Sequence, residues 1–354
     1  MKKLILFLLF YLIVFTSTGC NPCADPNSPE SGSGSTDIVG LVVYPETESG
    51  GTYAFSSDGS EMKLIRDDAA IFAPPQAGKI VYTLNPGSSD AQDKVVISDV
   101  DGKNSTTIFT TTTTGIDLWY SSLSPDGKYV LFYQSEDGGF NDYLWIMRSD
   151  GSDLRKVSNT RVPETLPTFS PDSRYIAYVT MDTQLHVQTV EGIEVGVIAT
   201  DARIGGDGFA SLSWSVDNKI AYVTQAIRDA QYNVIIPPQI AIINMNGSNK
   251  HIITHGSECG QPTWKPDGSQ LCFASEDGHI YTASSDGSNV SSVIYLNGTP
   301  VTNPDWSKDG KKILFTERNY VGIGDAFNGI LKYLNTTDGS VHYVASSCML
   351  AYWK

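Results

Sequence analysis

Beyond residue 37 the chain alternates short apolar runs with tight polar turns. No stretch of helical period longer than about three turns interrupts them. One turn recurs along the whole body: Ser57-Asp58-Gly59, Val100-Asp101-Gly102, Ser149-Asp150-Gly151, Val190-Glu191-Gly192, Met245-Asn246-Gly247, Ser285-Asp286-Gly287 and Thr337-Asp338-Gly339. The mean spacing is about 47 residues. Asp-Gly and Asn-Gly are two-residue hairpin signals because both positions tolerate positive φ. A second turn falls between these copies, as in Ser124-Pro125-Asp126-Gly127, Ser170-Pro171-Asp172-Ser173, Ser215-Val216-Asp217-Asn218, Lys265-Pro266-Asp267-Gly268 and Ser307-Lys308-Asp309-Gly310; Gln76-Ala77-Gly78 is a degraded version.

Each second turn is preceded by a short strand ending in a large residue: Leu123, Phe169, Trp214, Trp264 or Trp306. Each is followed by a β-rich run such as Tyr129-Val130-Leu131-Phe132 or Lys312-Ile313-Leu314-Phe315. A third strand leads into the Asp-Gly turn, as in Tyr143 to Met147, and a fourth leaves it, as in Leu154 to Val157. Four short antiparallel strands, A to D, repeated at this period, predict a β-propeller. Gly40 to Tyr44 reads as a strand B with no strand A ahead of it, and Cys348 to Lys354 as a strand A with nothing after it. The expected fold is therefore all-β: a seven-bladed β-propeller over 37–354, its ring closed by the C-terminal strand joining the N-terminal blade. Pro167, Pro262 and Pro304 sit two residues before the large residue of strand A, as expected for a strand whose free edge faces a central channel.

The residues from Trp306 to Phe315 and from Leu144 to Ser152 resemble the repeats of the TolB-like, WD-repeat-like β-propeller family, and the match recurs in at least five blades. TolB itself carries an α/β domain ahead of its propeller. Residues 1–36 are too few to supply one, so the resemblance implies a form lacking that domain.

The N-terminus changes the picture of where such a body works. Met1-Lys2-Lys3 precedes an unbroken apolar run, Leu4 to Phe15, which is too short to span a bilayer as a helix and reads as a secretory signal peptide. Ser17-Thr18-Gly19-Cys20 resembles the bacterial lipobox, which implies cleavage after residue 19 and lipidation of Cys20; Cys23 is the second candidate. Residues 20–36, rich in Pro, Ser and Gly, are then a flexible tether. The expected address is the bacterial cell envelope, lipid-anchored, with the outer membrane (periplasmic or surface-facing) preferred to the inner.

The formal net charge is -15, with no cluster of Lys and Arg, which argues against a nucleic-acid partner. Charged residues make up only 18%, which fits a folded body and not a disordered acidic chain. Candidate chemistry is sparse. Asp126, Asp172, Asp217, Asp267 and Asp309 recur at blade spacing and are expected to accept N–H groups within their own turns. Asp99 to Asn104 lacks the further ligands of a calcium loop and reads as a turn. His251 and His255, four residues apart on a strand, stand roughly 13 Å from one another, too far to share a metal. With His186, His279 and His342 they form no cluster like that of the polygalacturonate-lyase propellers. No G-x-S-x-G elbow occurs, which sets aside the prolyl-peptidase relatives. Cys259, Cys272 and Cys348 are expected as buried thiols, and the three N-x-S/T sequons as turns.

Loop length supplies the remaining signal. The A–B and C–D turns are tight and share one face; the B–C and D–A connections on the other face are long, as over Glu136 to Asp142, Ala226 to Pro238 and Arg318 to Asn328. Phe140, Arg228, Tyr232, Arg318, Tyr320 and Phe327 in these loops are the candidate partner-binding residues. The expected function is a non-enzymatic scaffold that binds an envelope protein or peptide, with no cofactor and no metal. The alternative is a carbohydrate-active lyase or hydrolase, or a glycan-binding module, with its site at the channel mouth.

Overall fold

The computed structural model describes residues 36–353, apart from 45–48, 68, 70, 85–91, 114, 137–141, 164, 205–210, 255, 319–328 and 347. Their regular elements are all β-strands. The chain begins with β1 (Thr36–Tyr44), β2 (Ser49–Ser56) and β3 (Met62–Arg66), then β4 (Lys79–Leu84), β5 (Lys94–Asp99) and β6 (Thr106–Thr110). Next come β7 (Asp117–Leu123), β8 (Tyr129–Ser135), β9 (Asp142–Arg148) and β10 (Arg155–Lys156), followed by β11 (Thr168–Phe169), β12 (Tyr175–Val179), β13 (Leu185–Thr189) and β14 (Glu194–Ala199). The middle of the chain supplies β15 (Leu212–Trp214), β16 (Lys219–Val223), β17 (Ile227–Arg228), β18 (Val234–Ile236), β19 (Ile240–Asn244) and β20 (His251–Ile252). The last part supplies β21 (Cys259–Trp264), β22 (Gln270–Ser275), β23 (His279–Ser284), β24 (Ser291–Tyr295), β25 (Val301–Trp306), β26 (Lys312–Arg318), β27 (Gly329–Asn335), β28 (Val341–Ala345) and β29 (Cys348–Trp353).

Among the described residues these strands form six antiparallel sheets of four, one sheet of three (β4-β5-β6) and the separate β17-β18 ribbon. The expected A–B–C–D order holds in each four-stranded sheet, with strand B of one sheet, β16, pairing directly with its strand C, β19, around the ribbon, as β15-β16-β19-β20. The first sheet is built from both ends of the chain, in the order β29-β1-β2-β3, with Ile38 opposite Trp353 and Gly40 opposite Ala351.

Apolar residues that alternate along the strands pack between neighbouring sheets. Leu131, Tyr133 and Ile146 of one sheet meet Phe169, Ile176 and Tyr178 of the next. Ala221, Val223 and Ile240 likewise meet Trp264, Leu271 and Phe273. The same rule joins the last sheet to the first: Leu314, Leu331 and Tyr333 share a buried cluster with Ile38, Phe55 and Trp353. Close approach at this seam requires Gly329, because a Cβ there would collide with the carbonyl of Cys348 and the methyl of Thr316.

The turns correct one expectation. All seven glycines of the Asp-Gly copies adopt positive φ, from 70° at Gly59 to 94° at Gly192, but the preceding Asp, Glu or Asn does not. These are not two-residue turns with both centres left-handed. In most copies the glycine N–H closes onto the carbonyl three residues back, as from Gly151 to Arg148 at 2.9 Å. The Asp then stays right-handed and uses its carboxylate: Asp150 accepts from the Ser152 N–H at 2.9 Å and its hydroxyl at 2.6 Å, and Asp286 does the same with Ser288. The second turn works similarly. Asp126 and Asp309 each accept a serine hydroxyl and a backbone N–H within their own turn. The Ser269 hydroxyl and N–H hold the Asp267 carboxyl below its usual range, and Ser307 and the Lys311 N–H do so for Asp309. A structural role thus accounts for these carboxylates.

The second sheet departs from the four-strand expectation. Residues at the place of its strand A contribute Ala69 and Ile71 to the core beside Ile80, Tyr82 and Val96, and Gln76 bridges to Lys79. Pro74 and Pro75 carry no N–H and cannot extend a ladder there.

Candidate binding surface

Thr36, where β1 begins, lies opposite Ser56, which leads directly into the Ser57-Asp58-Gly59 turn. β1 therefore begins on the tight-turn face. The connection from β16 to β19 lies on the opposite face.

That connection, expected as an irregular loop, is a built ribbon. Its base is closed by Thr224 N–H to the Gln239 carbonyl at 2.8 Å and by Gln239 N–H back to the Thr224 hydroxyl at 3.1 Å. The Gln239 side chain accepts from the Thr254 hydroxyl at 2.9 Å, and the Gln225 N–H donates to the Asp201 carbonyl at 2.7 Å. In the ribbon, Ile227 stands opposite Ile236 and Arg228 opposite Val234, with a bulge between. At the tip, Asp229 accepts the N–H groups of Gln231 and Asn233 at 2.9 and 2.8 Å. The Asn233 side-chain amide adds a bond to the other carboxylate oxygen and is the main cause holding the Asp229 carboxyl below its usual range.

The tip brings two predicted residues together: Arg228 donates to the Tyr232 carbonyl at 3.0 Å. Tyr232 adopts a φ of 66°, a conformation that favours glycine, while its side chain is 81% exposed. Ile227, Val234, Ile235 and Ile236 are also exposed, at 44 to 61%. Sequence reasoning missed these four. The run Val234-Ile235-Ile236 ahead of Pro237-Pro238, inside a segment between two strands, was the signal available. Because base and tip are hydrogen-bonded, the exposed apolar surface sits on a fixed support and binding would order little further chain.

Strain at Tyr232 gives a prediction. Tyr232→Gly relieves a left-handed non-glycine residue and should leave the melting temperature unchanged or raise stability by up to about 1 kcal/mol. A melting temperature several degrees lower would make Tyr232 a structural residue.

The other predicted anchors lie elsewhere. Arg318 ends β26 in the last sheet, opposite Gly329, with its N–H on the Pro300 carbonyl at 2.8 Å; it is half-buried and not part of the ribbon. Phe140, Tyr320, Phe327 and Cys20 lie outside the described residues.

The innermost strands form a second, polar region. β21 and β25 each carry a bulge at a left-handed residue followed by proline, at Gln261-Pro262 and Asn303-Pro304. The two amides pair: Gln261 donates to the Asn303 side-chain oxygen at 3.0 Å and accepts the Asn303 N–H at 2.7 Å. Asp305 accepts the Trp353 N–H at 3.1 Å, and the Trp353 indole donates to the Asp305 carbonyl at 3.2 Å. Burial pushes the Asp305 carboxyl up to about 7, although part of the residue surface remains accessible. Burial, then the Asp305 charge, raises the Cys272 thiol, and burial, then Tyr120 and Asp305, raises the Tyr352 hydroxyl.

No group of three or more His, Cys, Asp or Glu poised for a metal ion occurs among the described residues. His251 lies on β20 with its Nδ1 3.0 Å from the Asn249 carbonyl oxygen, and His255 lies outside the described residues. Cys259, Cys272 and Cys348 are buried. A cleft between Thr165, Ala202, Arg203, Ser211 and Val223 is too tight to admit a ligand.

Residues 129–338 match the family described as the TolB β-propeller domain. Among solved structures, TolB from Acinetobacter baumannii is similar over 91% of this chain and 67% of its own, at 16% identity and a TM-score of 0.55. The β-propeller domain of the trilobed protease from Pyrococcus furiosus is similar over 78% of this chain and 85% of its own, at 16% identity and a TM-score of 0.56. An oligogalacturonate lyase in complex with manganese is similar over 78% of this chain and 75% of its own, at 15% identity and a TM-score of 0.51. At these identities the likeness is one of fold. A curated relative, dipeptidyl-peptidase 5 of Arthroderma otae, is 31% identical over 123 residues, which is 29% of this chain and 17% of that protein. The chain thus spans under a fifth of that relative's length.

Proposed function

The chain belongs to the TolB β-propeller family, and we propose that it is a non-enzymatic, lipid-anchored cell-envelope propeller that binds a protein or peptide through its loop-rich face. In this reading it has seven blades, and β29 closes the ring against β1. The pairing of Ile38 with Trp353 and the buried cluster shared by the last and first sheets support closure. The observation that carries the function is the rigid β17-β18 ribbon, which holds Tyr232 and four aliphatic residues in solvent on the face opposite the tether. Aromatic and Arg side chains on a fixed support are the usual anchors of protein interfaces. No described group of residues favours the carbohydrate-active alternative.

The tether sets the reach of the body from the membrane. A flexible stretch of about 15 residues reaches roughly 20 Å on average and about 50 Å at most. Leaving from the tight-turn face, it keeps the loop-rich face unobstructed for a partner in the envelope space. Anchoring is tested by Cys20→Ser, which should move the protein from the membrane pellet to the soluble fraction. Protein that still sediments after a high-salt wash would contradict lipidation at Cys20.

The binding reading is tested by replacing Arg228, Tyr232 and Arg318 together with Ala. Capture of the envelope partner should fall at least tenfold with the melting temperature nearly unchanged. Full capture by the triple variant, with loss of capture on substituting Asp126 and Asp267, would assign binding to the other face.

A further inference from the structure

We propose that the β17-β18 ribbon takes an extended, basic segment of a partner protein as a third strand along the free edge of β18, with the segment's alternate aliphatic side chains packed on those of the ribbon. This deepens the loop-face reading and rests on it. Among the described residues no strand other than β17 pairs with β18, so its outer N–H and C=O groups form an open template. Three consecutive residues of that strand, Val234, Ile235 and Ile236, are exposed, so apolar contacts are offered on both faces of an added strand. Pro237 and Pro238 follow at once; lacking N–H groups, they limit the template to a short segment.

Three observations choose this occupant. The chain's net charge of -15 steers basic partners toward it and repels both a second copy and an anionic lipid surface. β1 begins on the opposite face, so the proposed tether joins the body away from the ribbon. A stable dimer interface uses about 20–30 residues a side, and the ribbon spans only Ile227 to Ile236.

The test uses the mature chain and a fluorescent nine-residue peptide of alternating Val and Lys. Saturable binding is expected by anisotropy, at least tenfold weaker for the same peptide N-methylated on alternate residues, for its Glu counterpart, and for Ile235→Asp. Ile235 is exposed, so that variant should melt within a degree or two of the parent; the N-methyl arm leaves the protein untouched and stands if the variant misfolds. Equal affinity for the N-methylated peptide would overturn strand addition, and equal affinity for the Glu peptide would overturn the charge selection. Absence of saturable binding by the parent chain would overturn the proposal outright. Binding that survives Ile235→Asp but is lost in Arg318→Ala would overturn the ribbon and leave the loop-face reading standing. Neutral vesicles with added anionic lipid, and sedimentation equilibrium, complete the set: vesicle binding or dimerisation abolished by Ile235→Asp would assign the ribbon to a membrane or a second copy and overturn the proposal.

Discussion

Removing the last strand should be the most damaging small deletion in the molecule. Truncation before Cys348 takes away β29, leaves the edge of β1 unpaired and opens the cluster that Trp353 shares with Ile38, Phe55 and Leu314. Trp353→Ala alone should cost about 3–5 kcal/mol through the cavity it leaves, a fall in melting temperature on the order of 10 °C. The indole N–H also loses its bond to the Asp305 carbonyl. Thermal unfolding of the single variant and the truncation checks this. Parent-like melting in either would mean that the first and last sheets do not depend on each other.

Asp305 should make stability depend on pH in the opposite direction from the turn carboxylates. Its folded-state value of about 7 lies above the ordinary Asp value, so the fold favours the neutral acid. The stability this supplies is fully present below about pH 4 and lost as pH rises toward 7. Three units correspond to about 4 kcal/mol, an upper limit because the residue keeps part of its surface accessible. Asp305→Asn keeps an oxygen for the Trp353 N–H and carries no charge. It should gain about 2–4 kcal/mol over the parent at pH 8 and little at pH 4. Asp267, Asp309 and Asp338, held below their usual range by serine hydroxyls and backbone N–H groups, lose their contribution only as pH falls below about 4, in parent and variant alike. The difference between the two proteins therefore isolates Asp305. Denaturant titrations at pH 4 and pH 8 measure it; an equal difference at both would show that the fold does not raise the Asp305 carboxyl.

The repeat made the architecture legible. Every large residue assigned to the end of a strand A, from Leu123 to Trp306, ends a strand, and the runs beginning at Lys79, Tyr129, Tyr175, Lys219, Gln270 and Lys312 are all strands. Short-range signals of this kind survive because each sheet is built almost wholly from one stretch of chain. What the pattern missed was set by departures from the repeat. At the residue before the large one, Ser122, Thr168, Ser213 and Thr263 carry small hydroxyls, whereas Asp305 and Tyr352 occupy it on either side of the seam. The Ser213 hydroxyl accepts the Trp264 N–H as Asp305 accepts that of Trp353, so the acid fills a structural position with a titratable group. The ribbon was missed for a related reason. Ile227 and Val234 to Ile236 follow no blade period, and a two-stranded excursion with a five-residue tip has no Asp-Gly signal. Of the predicted anchors, Arg228 and Tyr232 are joined in the structure because Asp229 between them folds the tip; Arg318 belongs to another sheet.

The central claim is that the loop-rich face, led by the ribbon, is the working surface and the tight-turn face is not. Site-specific photo-crosslinking in intact cells tests it most directly, with the reactive group placed in turn at Ile235 and at Asp267. The predicted result is a discrete crosslinked partner from Ile235 and none from Asp267. A crosslinked partner from Asp267 with none from Ile235 would contradict it.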